Sequence, residues 1–368
     1  MQHPAMTPPL LTADLPGVGG QIRVQIDDFE VEEVPSYEPC GTGDHLFLWI
    51  EKRGMAPEFF TRTLAQRLGT HPGNIGTAGL KDRYAVTRQW VSVPKACAPR
   101  VAQLDGDGLR VLQTAWHTNK LKTGHLRGNR FRILIRQANR AVDVNAILQR
   151  IRTQGLPNFY GPQRFGRAGS TVELGWQCLT GHTPQRIRPF LFRLALSAVQ
   201  SLLFNDYLMR RLRDGLFRTV VAGDVMAKWP HGGLFVARDV AVEQQRLDAR
   251  QTVTTGPMFG SKTFPAESVA AEREAAVLRD HQLEPAIFQR FGKLMMGTRR
   301  PNLIYIDDLS AQWQPEGLRL SFTLPAGSYA TVLLAEVMKT SLADTEGMGT
   351  SLADTEGMGI EGPDSDPG

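Results

Sequence analysis

Sequence typical of β-strands occurs near both ends of this chain, and a long, mostly helical middle separates the two parts. Helical stretches dominate at 187–216 and 267–295, and strand-type sequence returns at 302–309 and 318–325. Strands, then helices, then strands predict one sheet domain interrupted by an inserted domain, so we expect an α+β fold. The early segments, rich in β-branched and aromatic residues, are 21–34, 45–52, 85–93, 109–116 and 129–137.

A Gly- and aromatic-rich segment at 155–170 marks where the character of the chain changes. We therefore predict that 1–154 and 304–341 form the sheet domain. The residues between them, 155–303, are predicted to form an inserted α/β domain. A domain joined by two connections can form one wall of a cleft.

Two helices of the sheet domain have clear terminal signals. A helix is predicted over 57–68, because Pro57 suits the first helical position and Gly69 suits the end. A second helix is predicted to follow Asp143, whose side chain suits an N-cap. Apolar residues recur on one face of both segments, so each helix is expected to pack on the sheet.

The C-terminal end carries a tandem repeat in which TSLADTEGMG at 340–349 recurs at 350–359. Because this sequence is small, acidic and Gly-rich, it cannot bury a core, and we predict that 342–368 is disordered. The segment 340–368 holds seven acidic residues and no Lys or Arg, which leaves 42 basic against 30 acidic residues, or +12, in 1–339. A body this basic favours a polyanionic partner such as nucleic acid, although a merely basic enzyme would share it.

The composition argues against several classes of protein. No run of about 18 apolar residues occurs, so no membrane span is expected, and the N-terminus lacks the pattern of a secretory signal. Cys40, Cys97 and Cys178 are scattered, which argues against a disulfide scaffold or a zinc site. The His residues show no HExxH pattern, so we expect no metal. These features favour a cytoplasmic protein, and we expect a monomer with no obligate protein partner.

Asp82 is the first candidate for chemistry. It lies in GTAGLKDRY, just before a predicted strand, where Gly76 and Gly79 permit tight backbone geometry. Its neighbours Lys81 and Arg83 are cationic and favour an ionised carboxylate. The alternative is a surface aspartate in a basic loop or turn, and local sequence alone does not exclude it.

Two segments combine basic and aromatic residues in a way that suits RNA, where phosphates are neutralised and bases stack on rings. In HTNKLKTGHLRGNRFRI (117–133) the basic residues precede Phe131, whose alternative place is the core of a hairpin. In NFYGPQRFG (158–166), Arg164 is a candidate phosphate contact, whereas Phe159 is more simply a core residue. The basic candidates of 117–133 are Lys120, Lys122, Arg127 and Arg130.

The segment LPAGSYAT (324–331) follows a strand and precedes a helix. Gly327 and Ser328 could present backbone N–H groups to an anion there, and Tyr329 could pack on a base. A plain strand-to-helix turn would use the same residues.

Together these segments resemble the TruD-type family of tRNA pseudouridine synthases, and the similarity extends over most of residues 20–340. The resemblance implies a catalytic domain with a mainly antiparallel mixed sheet flanked by helices, interrupted by a family-specific insertion. The order and separation of the segments match the family, and AGLKDRYAVTRQW is the most specific. The matching segments are DDFEVEE (27–33), GTGDH (41–45), AGLKDRYAVTRQW (78–90), KLKTGHLRGNRF (120–131), NFYGPQRFG (158–166) and LPAGSYAT (324–331).

The resemblance also implies an activity, which is isomerisation of uridine to pseudouridine at position 13 in the D arm of tRNA, without cofactor or metal. It assigns Asp82 as the catalytic carboxylate and places Phe29, Asn129, Phe131 and Tyr329 around the target uridine. Some positions depart from the family pattern, since Ile26 and Asp27 replace its Pro-Glu, Arg23 replaces a lysine and Tyr329 stands where Phe is frequent. Lys81 joins the expected substrate-binding residues, and it is expected to contact phosphate with Lys120, Lys122, Arg127 and Arg164.

The chemistry leaves several points open. One ionised carboxylate can attack the sugar or the base, or can remove the C2′ proton, and the residues do not choose among these routes. Two rival functions share parts of the sequence. An RNA-binding protein would need the basic body but not Asp82. A glycosidase would need paired carboxylates, which Asp27, Asp28, Asp307 and Asp308 could provide.

Overall fold

The computed structural model describes residues 8–183, 186–230 and 232–340. A large sheet with the strand order β13-β14-β6-β1-β4-β2-β5 dominates it, and β3 pairs with β4 to give eight strands. Only β1 and β4 run parallel, and the other neighbours are antiparallel. The strands are β1 (Phe29–Pro35), β2 (His45–Arg53), β3 (Gly76–Thr77), β4 (Val86–Pro94), β5 (Leu109–His117), β6 (Leu126–Arg136), β13 (Ser310–Gln314) and β14 (Gly317–Pro325).

Three helices cover one face of this sheet, namely α1 (Pro57–Leu68), α2 (Val144–Gln154) and α7 (Ala330–Met338). The buried face of α1 packs with Leu48 and Ile50 of β2, which are fully buried. The other two helices pack with the apolar residues of β1, β6 and β14. Alternation of side chains along each strand therefore directs one set of residues towards the helices and the other away from them.

The helix ends follow from their local sequence. Pro57 occupies the first turn of α1, and Gly69 ends it with φ 62°, a left-handed conformation that glycine adopts without a Cβ penalty. The Asp143 side chain accepts a hydrogen bond from the Asn145 backbone N–H at the start of α2. Both of these predicted helices are confirmed.

The middle of the chain builds a second sheet with the order β11-β10-β8-β9 and packs helices around it. The 25-residue helix α4 lies at its centre, because its buried residues contact two separate apolar clusters. The elements are α3 (Ser170–Leu179), α4 (Pro189–Arg213), β8 (Val225–Lys228), β9 (Leu234–Val236), α5 (Val240–Asp248), β10 (Thr252–Met258), α6 (Ser268–Asp280) and β11 (Thr298–Pro301).

The two sheets are joined where the chain leaves and re-enters the first part. β7 (Leu156–Pro157) and β12 (Leu303–Ile304) form a short antiparallel pair. Asn158 N–H donates to the Asn302 carbonyl oxygen at 2.9 Å, which continues the pairing beyond β7. The strands by which the chain enters and leaves the second part, β7 and β12, are therefore hydrogen-bonded to each other, and they fix where that part begins and ends.

Most of the predicted strands are confirmed, and the α+β fold with a mainly antiparallel sheet is confirmed. The predicted strand over 21–34 is wrong in its first half. A 3-10 turn at Ile26–Asp28 precedes β1, and Arg23 has φ 60°, which no strand residue adopts. The further 3-10 segments are Pro72–Asn74, Lys95–Gln103, Pro162–Phe165, Arg167–Gly169 and Pro285–Met295.

The predicted helix over 267–295 is also wrong as one element. α6 ends at Asp280, and Pro285 begins a 3-10 segment that is interrupted at Gly292, where φ is 48°. Proline removes a backbone donor, which explains why the helix does not continue. The predicted disorder of 342–368 falls outside the described residues. Within the described part of the chain, no helix combines the length and apolarity that crossing a bilayer would require.

Candidate active site

Asp82 lies in an irregular loop, residues 78–85, between β3 and β4. The ends of the loop are fixed by backbone hydrogen bonds, from Gly124 N–H to Ala78 O and from Gly54 N–H to Ala85 O. The Asp82 side chain is 36% exposed, and its Oδ1 lies 3.4 Å from the Arg23 Nη2 atom. The loop therefore presents an accessible carboxylate beside a single buried guanidinium.

The loop contacts the helix-covered face of the large sheet. The strand register aligns a row of side chains across this face, and a second row runs beside it. Polar residues stand among apolar ones in both rows, which is unusual for a surface that packs against helices. The first row is Lys52, Thr87, Val31, Phe131 and Phe322, and the second includes Ile50, Gln89, Glu33, Asn129 and Leu324.

Lys81 is buried against the second row rather than exposed. Its Nζ atom donates to Glu33 Oε2 at 2.8 Å, and the two side chains are 3% and 1% exposed. Glu33 Oε1 accepts from the Trp90 backbone N–H at 3.3 Å. The predicted cationic neighbour of Asp82 is thus committed to Glu33. Arg83 is directed to the Tyr84 ring, and the cation beside Asp82 is Arg23.

The aromatic candidates Phe29 and Phe131 lie together beneath Arg23. The Arg23 guanidinium carbon is 4.4 Å from the Phe29 ring centroid. Phe29 contacts Phe131 edge-on at 6.3 Å, and Phe131 stacks on Phe322 at 5.2 Å. Arg23 therefore contacts both the aromatic group and Asp82. Phe131 is buried beside this contact, a position compatible both with a core residue and with a wall of the pocket.

Several polar atoms of this region are buried and have no hydrogen-bond partner among the described residues. Asn129 lies opposite Glu33 in β6, and its Oδ1 is one of them. Buried polar groups are nearly always paired, so a cluster of unpaired ones indicates a site that binds a polar ligand. The others at this site are Arg23 Nε, Thr87 Oγ1 and Gln89 Oε1.

Tyr329 belongs to a second group of side chains, at the start of α7. Its ring is 5.7 Å from that of Tyr160, and burial raises its pKa. Arg300 stacks on the same Tyr160 ring at 4.0 Å and donates to the Gly327 carbonyl oxygen at 2.9 Å. This arrangement ties the turn before α7 to the inserted segment. The turn follows Pro325, the last residue of β14, and the preceding Leu324 lies opposite Asn129.

The predicted phosphate contacts differ in their availability. Lys122 and Arg127 are exposed, whereas Lys120 is half-buried and donates to the Gly73 carbonyl oxygen. Arg164 is half-buried in the inserted segment, where it donates to the hydroxyls of Ser197 and Ser201. The first two are free to meet a polyanion directly, and Arg164 lies beside the Tyr160 ring at 5.6 Å.

Four residues of these groups were not selected from the sequence. Glu33 and Lys52 could have been found, because strand alternation places them on the same face as their buried apolar neighbours. Arg23 was noted only as a departure from a family lysine. Arg300 had no signal, since its partner Asn158 lies 142 residues away.

The carboxylates that a glycosidase would need are bound by other groups of the structure. Asp28 is buried and is bound by the Arg136 guanidinium, with an Nη2–Oδ1 distance of 2.7 Å. Asp27 is exposed and is bound by Arg53, while Asp308 accepts from the Thr323 backbone and hydroxyl. These carboxylates therefore have structural partners.

One family of known proteins matches most of this chain. The family model for tRNA pseudouridine synthase D (TruD) matches residues 8–188 and 180–337. A tRNA pseudouridine synthase D of Anaeromyxobacter sp. is 44% identical over 336 residues, covering 90% of this chain and 96% of that protein. Its counterpart in Thermus thermophilus is 44% identical over 338 residues, covering 91% and 93%.

A solved structure, described as the putative tRNA pseudouridine synthase D (TruD) from Methanosarcina mazei, has a TM-score of 0.73 and 25% identity. The match covers 90% of this chain and 96% of that one. The resemblance inferred from the sequence segments is thereby confirmed. The chain belongs to the tRNA pseudouridine synthase D (TruD) family.

Proposed function

We propose that this chain, an isomerase of the tRNA pseudouridine synthase D family, converts the uridine at position 13 of the tRNA D arm to pseudouridine. Asp82 is the catalytic carboxylate, and no cofactor or metal takes part. The observation that carries the proposal is an accessible Asp82 carboxylate beside Arg23, above a sheet face with unpaired polar atoms. The 36% exposure of the Asp82 side chain leaves its carboxylate open to a substrate.

The reaction is balanced without any external group. The N1–C1′ bond of the uridine breaks, the uracil turns, and C5 bonds to C1′, while C5 loses a proton and N1 gains one. Whether Asp82 attacks the sugar, attacks the base or removes the C2′ proton, it must be ionised and next to the ribose. Arg23 lies beside the carboxylate, and its position over Phe29 keeps the guanidinium fixed.

The target base must leave its stack before it can reach Asp82, at a cost of a few kcal/mol. In the proposal Phe29, Phe131 and Tyr329 form apolar walls for the extruded uracil. Asn129 binds its polar edge, because an amide accepts from N3–H and donates to a carbonyl. The unpaired Asn129 Oδ1 supports this role. Lys81 acts as a wall residue, since Glu33 occupies its ammonium group.

The ring of Tyr329, rather than its hydroxyl, is expected to matter. Tyr329→Phe should keep kcat/KM within about threefold, because the ring makes the contact with Tyr160. Tyr329→Ala should lower kcat/KM by about 5- to 150-fold, which corresponds to about 1–3 kcal/mol of lost stacking. Steady-state kinetics on one tRNA transcript measures both. Wild-type kinetics in Tyr329→Ala would remove this residue from the pocket.

Phosphate contacts are proposed for Lys120, Lys122, Arg127 and Arg164. Neutralising the exposed Lys122 or Arg127 to Gln should weaken tRNA binding and reduce the slope of log Kd against log salt by about 1 each. Arg67→Gln is the matched control, because the Arg67 guanidinium already contacts Asp107 at 2.5 Å. Unchanged slopes in both test variants would place the tRNA elsewhere.

We further propose that 1–154 and 304–341 form the catalytic domain and that 155–303 forms the inserted domain, with the tRNA between them. The separate sheets and the β7–β12 pair at the junction support this division. Action as a monomer in the cytoplasm is part of the same proposal. Of its three cysteines, Cys97 and Cys178 are buried and Cys40 is exposed, and all are free.

The experiment is tritium release from a tRNA transcript labelled at C5 of uridine, with dialysed enzyme and chelator present. Because C5 must lose its hydrogen, we expect release of about one tritium per tRNA from the target uridine without any added cofactor. Tight binding of tRNA with no release would support the rival RNA-binding function. Release that depends on an added metal or cofactor would contradict the cofactor part alone.

A further inference from the structure

Lys52 is a buried lysine whose side chain reaches the catalytic loop from below. It belongs to β2, is 1% exposed and stands between Thr87 of β4 and Leu109 of β5. Its strand neighbours on the same face, Leu48 and Ile50, are apolar and fully buried. A charged side chain at such a position is costly, so it calls for a specific reason.

The hydrogen bonds of Lys52 all go to backbone carbonyl oxygens. Its Nζ atom donates to Met55 O at 2.7 Å, to Asp82 O at 2.9 Å and to Lys81 O at 3.5 Å. Three N–H groups thus meet three acceptors, and two of these belong to the catalytic loop. Among the described residues, no carboxylate lies within ion-pair distance of this ammonium group.

Residues 78–85 contain no strand or helix, and the backbone bonds at Ala78 and Ala85 fix only the ends of this loop. At its centre, the Lys81 side chain is bound by Glu33, and the Asp82 carboxylate lies beside Arg23. Lys52 binds the backbone there, at the carbonyl oxygen of Asp82 itself. Because a side chain starts from its own backbone, this contact fixes the point from which the Asp82 carboxylate is directed.

We propose that Lys52 is a positioning residue for the isomerisation, which fixes Asp82 in the orientation that reaches the ribose by holding the carbonyl oxygens of Lys81 and Asp82. The inference rests on the proposed function of Asp82 and adds a residue that does not touch the substrate. A displacement of about 1 Å in a reacting group can cost about 100-fold in rate, so loss of this support should be visible in kcat.

The electrostatics agree with this geometry. Burial lowers the pKa of Lys52 from 10.5 to about 8, while the Asp82 carboxylate raises it and the Lys81 ammonium lowers it further. The charged groups that face it are thus Asp82 and Lys81 of the loop, which are paired with Arg23 and Glu33 respectively. The neighbours Phe60 of α1, Thr87 of β4 and Leu109 of β5 carry no charge.

The test compares Lys52→Met with wild type in the tritium-release assay and in tRNA binding, using the full chain. We expect kcat to fall by about 100-fold, while Kd for tRNA changes by less than about threefold. Lys52→Met removes an unfavourable buried charge but leaves three carbonyl oxygens without their donor, so Tm should fall moderately, and kcat is measured where the variant is folded. Leu48→Ala, on the same strand face, is the matched control and should lower Tm at least as far while kcat stays within about threefold.

A kcat within about threefold of wild type in folded Lys52→Met would overturn the proposal. So would a loss of kcat in Leu48→Ala as large as that in Lys52→Met, because general destabilisation would then explain both. If wild type itself releases no tritium, the proposed function fails, and this result is distinct from a failure of Lys52 alone.

A second measurement needs no variant. Above a pH of about 8 a neutral Lys52 would keep only two N–H groups for three carbonyl oxygens. We therefore expect the kcat of wild type to decline above about pH 8, with tRNA binding unchanged. A kcat that stays flat through the pH at which nitrogen NMR shows the Lys52 Nζ atom losing its proton would overturn the proposal, even if Lys52→Met does not fold.

Discussion

Asp82→Asn is expected to lower turnover by at least about 10⁴-fold and to leave tRNA affinity within about threefold of wild type. The amide has nearly the same size but cannot act as an ionised nucleophile or base. Arg23 loses the charge of its partner, yet the aromatic group beneath it and the exposed basic residues remain in place. Filter binding and single-turnover tritium release measure the two quantities separately.

Asp27→Asn is the matched control for this prediction. Asp27 is also an exposed carboxylate bound by an arginine, with an Arg53 Nη2–Oδ1 distance of 2.6 Å. It lies on the 3-10 turn before β1 and not in the catalytic loop. We expect turnover within about threefold of wild type. If both variants lost activity equally, the loss in Asp82→Asn would not identify Asp82 as catalytic. Measurable steady-state activity in Asp82→Asn would show that Asp82 is not the catalytic carboxylate.

Arg211→Leu is expected to lower the free energy of unfolding by about 3–5 kcal/mol. Arg211 is fully buried in α4, and its guanidinium contacts Asp224 with Nη1–Oδ1 and Nη2–Oδ2 distances of 2.6 and 2.9 Å. Burial acts to lower the pKa of Arg211, but Tyr207 and the Asp224 carboxylate raise it above its usual value. Removing the guanidinium leaves the buried Asp224 carboxylate with the Val221 backbone N–H but no cation.

Urea unfolding of Arg211→Leu beside Arg246→Leu measures this effect. Arg246 forms an ion pair with Glu243 three residues away, and its side chain is 34% exposed. Since solvent screens such a pair, its removal should cost only about 0.2–1 kcal/mol. Equal losses in the two variants would show that the buried pair has no special weight in the inserted segment.

Local sequence predicted those parts of the fold that depend on local physics. The bounds of α1 followed from Pro57 and Gly69, and the start of α2 followed from Asp143. The strands β2, β4, β5 and β6 followed from residue type and alternation, whereas the two-residue β3 was not predicted. The interrupted helix beyond Asp280 could have been anticipated from Pro285, so that error came from extending an apolar pattern past a proline.

The sequence pointed to residues that the fold brings close together, but it did not predict their contacts. Asp82, Phe29, Asn129 and Phe131 do lie on or beside one face of the sheet. The partner of Lys81, however, is 48 residues away in sequence, and adjacency to Asp82 suggested a role that its pairing with Glu33 does not allow. Such contacts depend on which strands become neighbours, and local patterns do not contain that information.

For Lys52, the sequence predicts burial but not the atoms that it binds. Alternation along HLFLWIEK predicts that it shares a face with Leu48 and Ile50, so a buried lysine could have been expected. The partners of Lys52 could not have been predicted, because the Asp82 carbonyl oxygen comes close to its Nζ atom only when the loop is folded. The candidate catalytic residue can thus be recognised from its local sequence, whereas the residues that hold it are distant in sequence.

Mapping pseudouridine in tRNA tests directly whether this protein modifies position 13 and whether it needs Asp82. An unmodified transcript with uridine at position 13 is incubated with wild type or Asp82→Asn, labelled with carbodiimide and read by primer extension. We expect one new primer-extension stop at the D-arm position 13, which appears with wild type only and is absent when that uridine is replaced by cytidine. A stop at another position, or an equal stop with Asp82→Asn, would contradict it.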